Sequence, residues 1–428
     1  MNLIGRDGTL RSRLATHDPY AALRVRNFLW LILGYAMSTV AREAQIVVVG
    51  WQVFEVTRDP LALGMIGLAE ALPFIAVSLY AGHVADRLPR RPIAIAGTFA
   101  MVLSAIALLL FTTSGMIGKG HVWPIYLVIF LSGIARSFIR PAFTALSAEV
   151  VTRDLFANAV AWRSSTWQFA AVLGPAMGGL IYGFAGPAAA YSVVTVLMSL
   201  SLGALWLIAH DARPQGGEAM PIGESLRIGI RFIVQQKILL AAMTLDLFSV
   251  LFGGAVALLP IFAHLLGAGP QGLGILRAAP AAGSLVTGII VAHRPPMRRT
   301  GRALFSAVAI FGLTIIGFAI SRNFWISFAL LTIGGMADNV SVIIRGTLLQ
   351  TLTPQHMLGR VSSVNQIFIG SSNEIGAFES GLAARILGTV PSVIFGGIMT
   401  LVVVAVTMAW AQQLRKMREI DATNQTST

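Results

Sequence analysis

The sequence predicts an all-α membrane protein of twelve transmembrane helices in two six-helix bundles, with both termini cytoplasmic. Three observations predict it. The chain is 56% hydrophobic and only 11% charged, against about 25% charged in soluble domains. Its apolar residues form runs long enough to cross ~30 Å of hydrocarbon as helices. Lysine and arginine collect in alternate connections between those runs, the bias that keeps basic loops in the cytoplasm.

The runs fall at 28–54, 61–85, 92–114, 123–148, 158–185 and 187–209, and, after a polar segment at 211–237, at 238–266, 270–292, 303–321, 323–350, 361–387 and 389–413. The 43 glycines and 18 prolines would break up a soluble helical protein, but both are ordinary in membrane helices. This divides the chain into a cytoplasmic N-terminal segment (1–27), a first bundle (28–210), a cytoplasmic central loop (211–237), a second bundle (238–414) and a cytoplasmic tail (415–428).

One side collects Arg6, Arg11, Arg13, Arg24 and Arg26, then Arg87, Arg90 and Arg91, then Arg153 and Arg163. It also takes Arg213, Arg227, Arg231 and Lys237, then Arg294, Arg298, Arg299 and Arg302, then Arg360, and finally Arg415, Lys416 and Arg418. The other side is assigned Arg58, Lys119 and Arg322. A miscounted run would scramble that alternation. The net charge of +13 is thereby explained by membrane orientation, and a nucleic-acid partner is not expected. Cysteine is absent, which excludes disulfides, thiol nucleophiles and thiolate metal sites. Residues 1–26 are polar and lack the apolar core of a signal peptide.

An internal repeat supports the two halves. Pro60-x-x-Leu63-Gly64 opens the second run and Pro270-x-x-Leu273-Gly274 the eighth, while His83 has a counterpart in His293 and Thr152 in Thr353. Six helices repeated in the same orientation is a common plan of secondary transporters.

Charges at membrane depth are costly and usually face a cavity or a partner. The runs hold Arg42, Glu43, Glu70, Arg136, Arg140, Asp246, Arg277, Asp338, Arg345, Glu374 and Glu379, whereas runs three, six, nine and twelve carry none in their cores. At a rise of ~1.5 Å per residue, Glu43 lies about 24 Å from the cytoplasmic start of its helix and Glu70 about 14 Å from the outer face. A carboxylate in such a setting suits reversible proton binding. Glu43, Glu70, Asp246 and Glu374 are therefore the proton-coupling candidates. Structural ion pairs, such as Glu43 with Arg136 or Asp338 with Arg345, are the alternative use of the same charges. Arg42, Trp51, Arg136, Phe138, Arg140, Phe248, Phe252, Asp338 and Arg345 are the candidates for cavity and substrate contact. No metal-ligand spacing joins the histidines, and neither a metal nor a cofactor is expected.

Two short motifs stand out. Gly82-x-x-x-Asp86-Arg87-x-x-Arg90-Arg91 joins runs two and three, an acid held among basics where a plain cytoplasmic loop would carry basics alone. Run five carries Gly174-Pro175-x-x-Gly178-Gly179, where proline removes a backbone hydrogen bond and the glycines admit a neighbouring helix. A kink and a tight seam are expected there.

With these pieces the sequence resembles the major facilitator superfamily over nearly its whole length. The first motif is similar to that superfamily's gate loop, with Pro89 where glycine is usual, and the second to its helix-five antiporter motif, with Ala161 and Ala170 in place of two earlier glycines. Val49-Gly50-Trp51-Gln52-Val53-Phe54, Glu70-Ala71-Leu72-Pro73, Arg140-Pro141-Ala142 and Leu276-Arg277-Ala278-Ala279-Pro280 resemble the branch holding siderophore (enterobactin) and drug exporters. The resemblance implies a major facilitator fold in the inner membrane, with helices one, four, seven and ten around a central cavity. It also implies that Asp86 and its arginines lock against the start of helix eleven, near 360–365. The expected function is proton-coupled export of amphipathic organic compounds by a monomer in the lipid bilayer. An importer or lysophospholipid flippase on the same fold is the alternative, a non-transporting sensor a weaker one, and an enzyme is not expected.

Overall fold

The computed structural model describes residues 18–118, 121–209, 222–293 and 299–417, apart from the side chains of residues 79, 83, 85, 86 and 222. The described chain is helical, with one isolated bridge between Gly118 and His121. The helices are α1 (Arg26–Thr57), α2 (Pro60–Arg87), α3 (Arg90–Thr113), α4 (Trp123–Glu149) and α5 (Phe156–Trp206). They continue with α6 (Ile222–Gln235), α7 (Lys237–Phe252), α8 (Leu259–Leu265), α9 (Gly269–Ala292), α10 (Thr300–Ile320), α11 (Phe324–Leu352), α12 (Gln355–Leu387), α13 (Thr389–Trp410) and α14 (Gln412–Lys416).

Runs five and six are the two arms of α5. The backbone leaves helical geometry at Gly186 (φ 80°, ψ 175°), immediately before Pro187. Glycine supplies the positive φ and proline starts a new helix without its missing N–H. The arms run in opposite directions along α1: Gly174 abuts Val40 and Glu43, and Tyr182 bonds Glu55, whereas Tyr191 bonds Gln52 and Ser201 bonds Gly34. The Tyr191 hydroxyl, fully buried, donates to Gln52 Oε1 (2.8 Å), and Gln52 Nε2 donates to Thr112 (3.1 Å). Buried polar groups so deep need such internal partners, since hydrocarbon offers none.

Ten helical stretches among the described residues are long and apolar enough to cross a membrane, with both arms of α5 counted together and α7 with α8 as one. α12 is not among them, because Arg360, Asn365, Gln366, Asn373, Glu374 and Glu379 dilute its apolar character. The polar segment read as a loop at 211–237 contains a helix, α6. Leu226, Phe232 and Ile233 on its inner face pack against Met357, Leu358, Val361 and Val364 of α12. The same contact extends α12 back to Gln355, ahead of the apolar run that begins at 361.

Among the first five helices, α1 lies along α5, α2 and α3 pack on α4, and α3 on α5. Later in the chain α9 packs on α11, α10 on α11 and α13, and α7 on α12 and α13. Two long contacts join these groups, α2 with α12 and α5 with α9. Both are glycine seams. A Cβ on Gly381 would lie 2.6 Å from the Cα of Gly64, and one on Gly179 2.8 Å from the Cα of Gly274. Helices in lipid associate through such close approach, because no hydrophobic force distinguishes neighbour from solvent.

Candidate functional site

The geometry around Arg136 follows from small residues. α4 presents buried Ser132, Gly133, Ala135 and Ser137 around it. Pro73 of α2 seats on Gly133, which leaves room for no Cβ (2.6 Å to the proline Cγ). That contact brings Glu70, one turn earlier on α2, into an ion pair with Arg136. On the far side of α2, Gly67 abuts the backbone of Glu374 and Ala377 of α12. Glu374 thereby reaches the same guanidinium at 3.3 Å, and the Phe74 ring lies 6.0 Å from it. Arg136 thus joins α2, α4 and α12. Glu43, pressed against Gly174, pairs with its neighbour Arg42 at 3.2 Å. Arg277 of α9 lies within electrostatic reach of Glu43, Arg42 and Glu374. It keeps part of its surface accessible.

Arg140 lies about one turn from Arg136 and donates to Gln366 Oε1 of α12 at 2.7 Å. Tyr35 of α1 stands within electrostatic reach of Arg163, Arg140 and Arg42, its ring 5.9 Å from Phe143. Arg163, counted from sequence with the basic residues of the cytoplasmic side, lies inside α5 and donates to Ser147 at 3.3 Å.

A second cluster is separate. Asp246 of α7 and Arg345 of α11, 7% and 9% exposed, form an ion pair, Arg345 Nε donates to Ser341 (3.3 Å), and Asp338 feels the same arginine. Charges of helices one and four meet those of two, eight and eleven in the predicted count, while seven pairs with ten. Of the alternative ion pairs weighed from sequence, Glu43 takes Arg42 in place of Arg136, and Arg345 takes Asp246 as its bonded partner with Asp338 close by.

The remaining candidates are placed as follows. Trp51 is 7% exposed and packs edge-on to Phe54 in the main core. Phe138 meets Tyr80 edge-on at 6.3 Å, and Phe248 stacks on Phe252 at 6.3 Å. Phe252 also borders a small cavity with Ser380 and Ser392. In the gate motif, the Asp86 side chain lies outside the described residues, Gly82 has open space around it and Arg87 is exposed. Arg90 pairs with Glu149 of α4, and Arg91 donates to the Trp206 carbonyl at 3.0 Å. The early part of α12 is reached from the first half by Arg140, through Gln366. The backbone stays helical at Pro175 and breaks at Gly186, while Gly174 and Gly178 fit against α1 and Gly179 against α9. Among the described residues no acidic or histidine cluster could hold a metal ion.

Sequence reasoning missed Arg385, near the C-terminal end of run eleven, which reaches Asp59 Oδ2 at 3.2 Å. Asp59 also caps α2, accepting from the Leu61 N–H at 3.0 Å. The Asp-Pro start of α2 was a readable capping signal; the partner 326 residues away was not.

Comparison with known proteins agrees with this architecture. The family described as transmembrane secretion effector matches residues 17–428. The chain is 24% identical over 416 residues to the enterobactin exporter EntS of Shigella flexneri, and 25% identical over 424 residues to that of Escherichia coli O127:H6, each covering 95% of both chains. In fold it is similar to a POT family transporter in complex with 5-aminolevulinic acid (TM-score 0.71, 10% identity, 91% of this chain and 97% of that one). It is also similar to a peptide transporter POT in complex with alafosfalin (TM-score 0.71, 13% identity, 93% and 99%). These are transporters and not enzymes. The chain belongs to the transmembrane secretion effector family, a multi-pass membrane transporter of the major facilitator superfamily.

Proposed function

We propose that this protein is a proton-coupled exporter of amphipathic organic compounds, of the drug or siderophore kind, in the inner membrane. In this reading the chain makes twelve crossings in two six-helix bundles: α5 supplies two, α7 with α8 one, and α12 one despite its polar residues. Both ends of the chain then lie in the cytoplasm. The glycine seams α2–α12 and α5–α9 lie near the outer ends of those helices, so this conformation is closed outside, and rocking about them opens it.

The observation that carries coupling is Arg136 held between Glu70 of its own half and Glu374 of the other. Protonating Glu374 removes an ionic link between the bundles, so proton binding and bundle position become one equilibrium. Glu43 with Arg42 stands beside that link, while Asp246, held inside the second bundle, is the weaker coupling candidate. Export by relatives that match 95% of the chain favours outward transport. The protein acts as a monomer in this reading, since one chain supplies both bundles.

The test is uptake into inverted vesicles under an imposed pH gradient, screening siderophores and amphipathic drugs. Glu70→Gln and Glu374→Gln should abolish gradient-driven uptake while leaving counterflow exchange. Full gradient-driven uptake in both variants would defeat the coupling assignment.

A further inference from the structure

The proposed cavity carries more positive charge than its acids can balance, and the surplus is ordered by depth. Among the described residues, Arg42, Arg136, Arg140, Arg163 and Arg277 meet three carboxylates, Glu43, Glu70 and Glu374. The acids are taken: Glu43 by Arg42, and Glu70 and Glu374 by Arg136. Among the described residues, Arg140 and Arg163 bond neutral groups, Gln366 (2.7 Å) and Ser147 (3.3 Å). Each of these two guanidiniums also lies within electrostatic reach of the other, and Arg140 within reach of Arg42.

Counted along their helices from the end where α1 begins, Arg163 lies about 10 Å in, Arg140 about 14 Å, Arg136 about 20 Å and Arg42 about 24 Å, at ~1.5 Å per residue. Tyr35 lies level with Arg140, a hydroxyl among three arginines. Like charges gathered in a low-dielectric interior repel, and the arrangement is relieved when an anion enters. The planar guanidinium suits carboxylate, phosphate or sulfonate oxygens in particular.

We infer that Arg140 and Arg163, with Tyr35, form an anion-binding lane that leads from the cytoplasmic mouth to Arg42, and that the transported compound is an amphipathic organic anion. The proposal takes its cytoplasmic direction from the topology above, but the binding itself needs neither proton coupling nor export.

The test measures equilibrium binding to the full chain in lipid nanodiscs without any gradient, with empty nanodiscs as blank. The probes are two xanthene dyes of similar size, anionic carboxyfluorescein and cationic rhodamine 123, followed by fluorescence anisotropy. Carboxyfluorescein should bind more tightly than rhodamine 123, and added salt should weaken it. Arg140→Gln and Arg163→Gln should each weaken carboxyfluorescein about 10-fold or more, as expected for loss of a charge-assisted hydrogen bond. Arg140→Lys and Arg163→Lys should retain part of the affinity, and exposed Arg302→Gln should change nothing. Lack of anion preference, including failure of both dyes to bind, overturns the proposal, as do Gln variants that bind like the wild type. A chain that binds the anion but shows no proton-driven uptake would leave the lane standing and remove the coupling.

Discussion

Gly179→Ala adds a single methyl group where α5 meets α9. Its Cβ would lie 2.4 Å from the Pro270 carbonyl oxygen and 2.8 Å from the Gly274 Cα, whereas ordinary contact begins near 3.4 Å. The obstacles are backbone atoms, so no rotamer change makes room, and the helices must part by about 1 Å. Overpacking of this kind costs about 1–3 kcal/mol. That cost falls on conformations in which these two helices touch, and it vanishes once the outer end opens. Between states of similar energy, about 1–3 kcal/mol shifts the populations about 5- to 150-fold. The chain has no native cysteine, so Thr113→Cys and Arg322→Cys give a clean pair of spin-label sites at the C-terminal end of α3 and just beyond that of α10. Distances measured by pulsed electron resonance in nanodiscs should gain a longer, outward-open population in Gly179→Ala. Gly335→Ala is the control. Its Cβ would lie 2.1 Å from the Pro280 carbonyl oxygen, but between α9 and α11 of one half. It should lower the melting temperature and leave the distances alone. A Gly179→Ala distribution superimposable on wild type, or an equal shift from Gly335→Ala, would refute the reasoning.

Three further outcomes follow from the ion pairs. Arg136→Gln strands Glu70 and Glu374 together and should destabilise the protein by about 3–5 kcal/mol; adding Glu70→Gln and Glu374→Gln should recover much of the loss in thermal melts. Asp246→Asn leaves the nearly buried Arg345 without its bonded carboxylate and should cost a comparable amount, whereas combining it with Arg345→Met should cost less than Asp246→Asn alone. Arg385→Ala removes an exposed pair and should cost below about 1 kcal/mol. Asp59→Ala loses that pair and the α2 cap together, and should cost about 1 kcal/mol more, with cap and pair separable by a double-mutant cycle.

Much of the fold was legible before any coordinates. The ten described stretches that are membrane-capable overlap eleven of the twelve predicted runs, because insertion depends on apolar length, which is written locally along the chain. The same logic explains two errors. α6 was hidden because its apolar face covers only one side of a polar segment, and the start of α12 because Met357 and Leu358 are half-buried in a cluster shared with α6. The break at Gly186 followed by Pro187 was readable as a boundary between runs. That the chain reverses there with no loop at all depended on the positive φ of one glycine.

The sequence by itself determined the membrane class, most helix positions and the set of charges that cannot face lipid. It also contained the small residues at positions 64, 67, 133, 174 and 179 that allow close approach. Tertiary structure alone decided which helix each small residue meets and hence which charges pair. Glu374 stands 238 residues from Arg136 along the chain, and no local pattern encodes that distance. An ion pair needs two side chains at matching depth and facing directions, and the facing direction is set by helix rotation and register. Those are fixed when glycine seams such as Gly67 on α12 and Gly133 on Pro73 lock, and such locking is a property of the packed helices together.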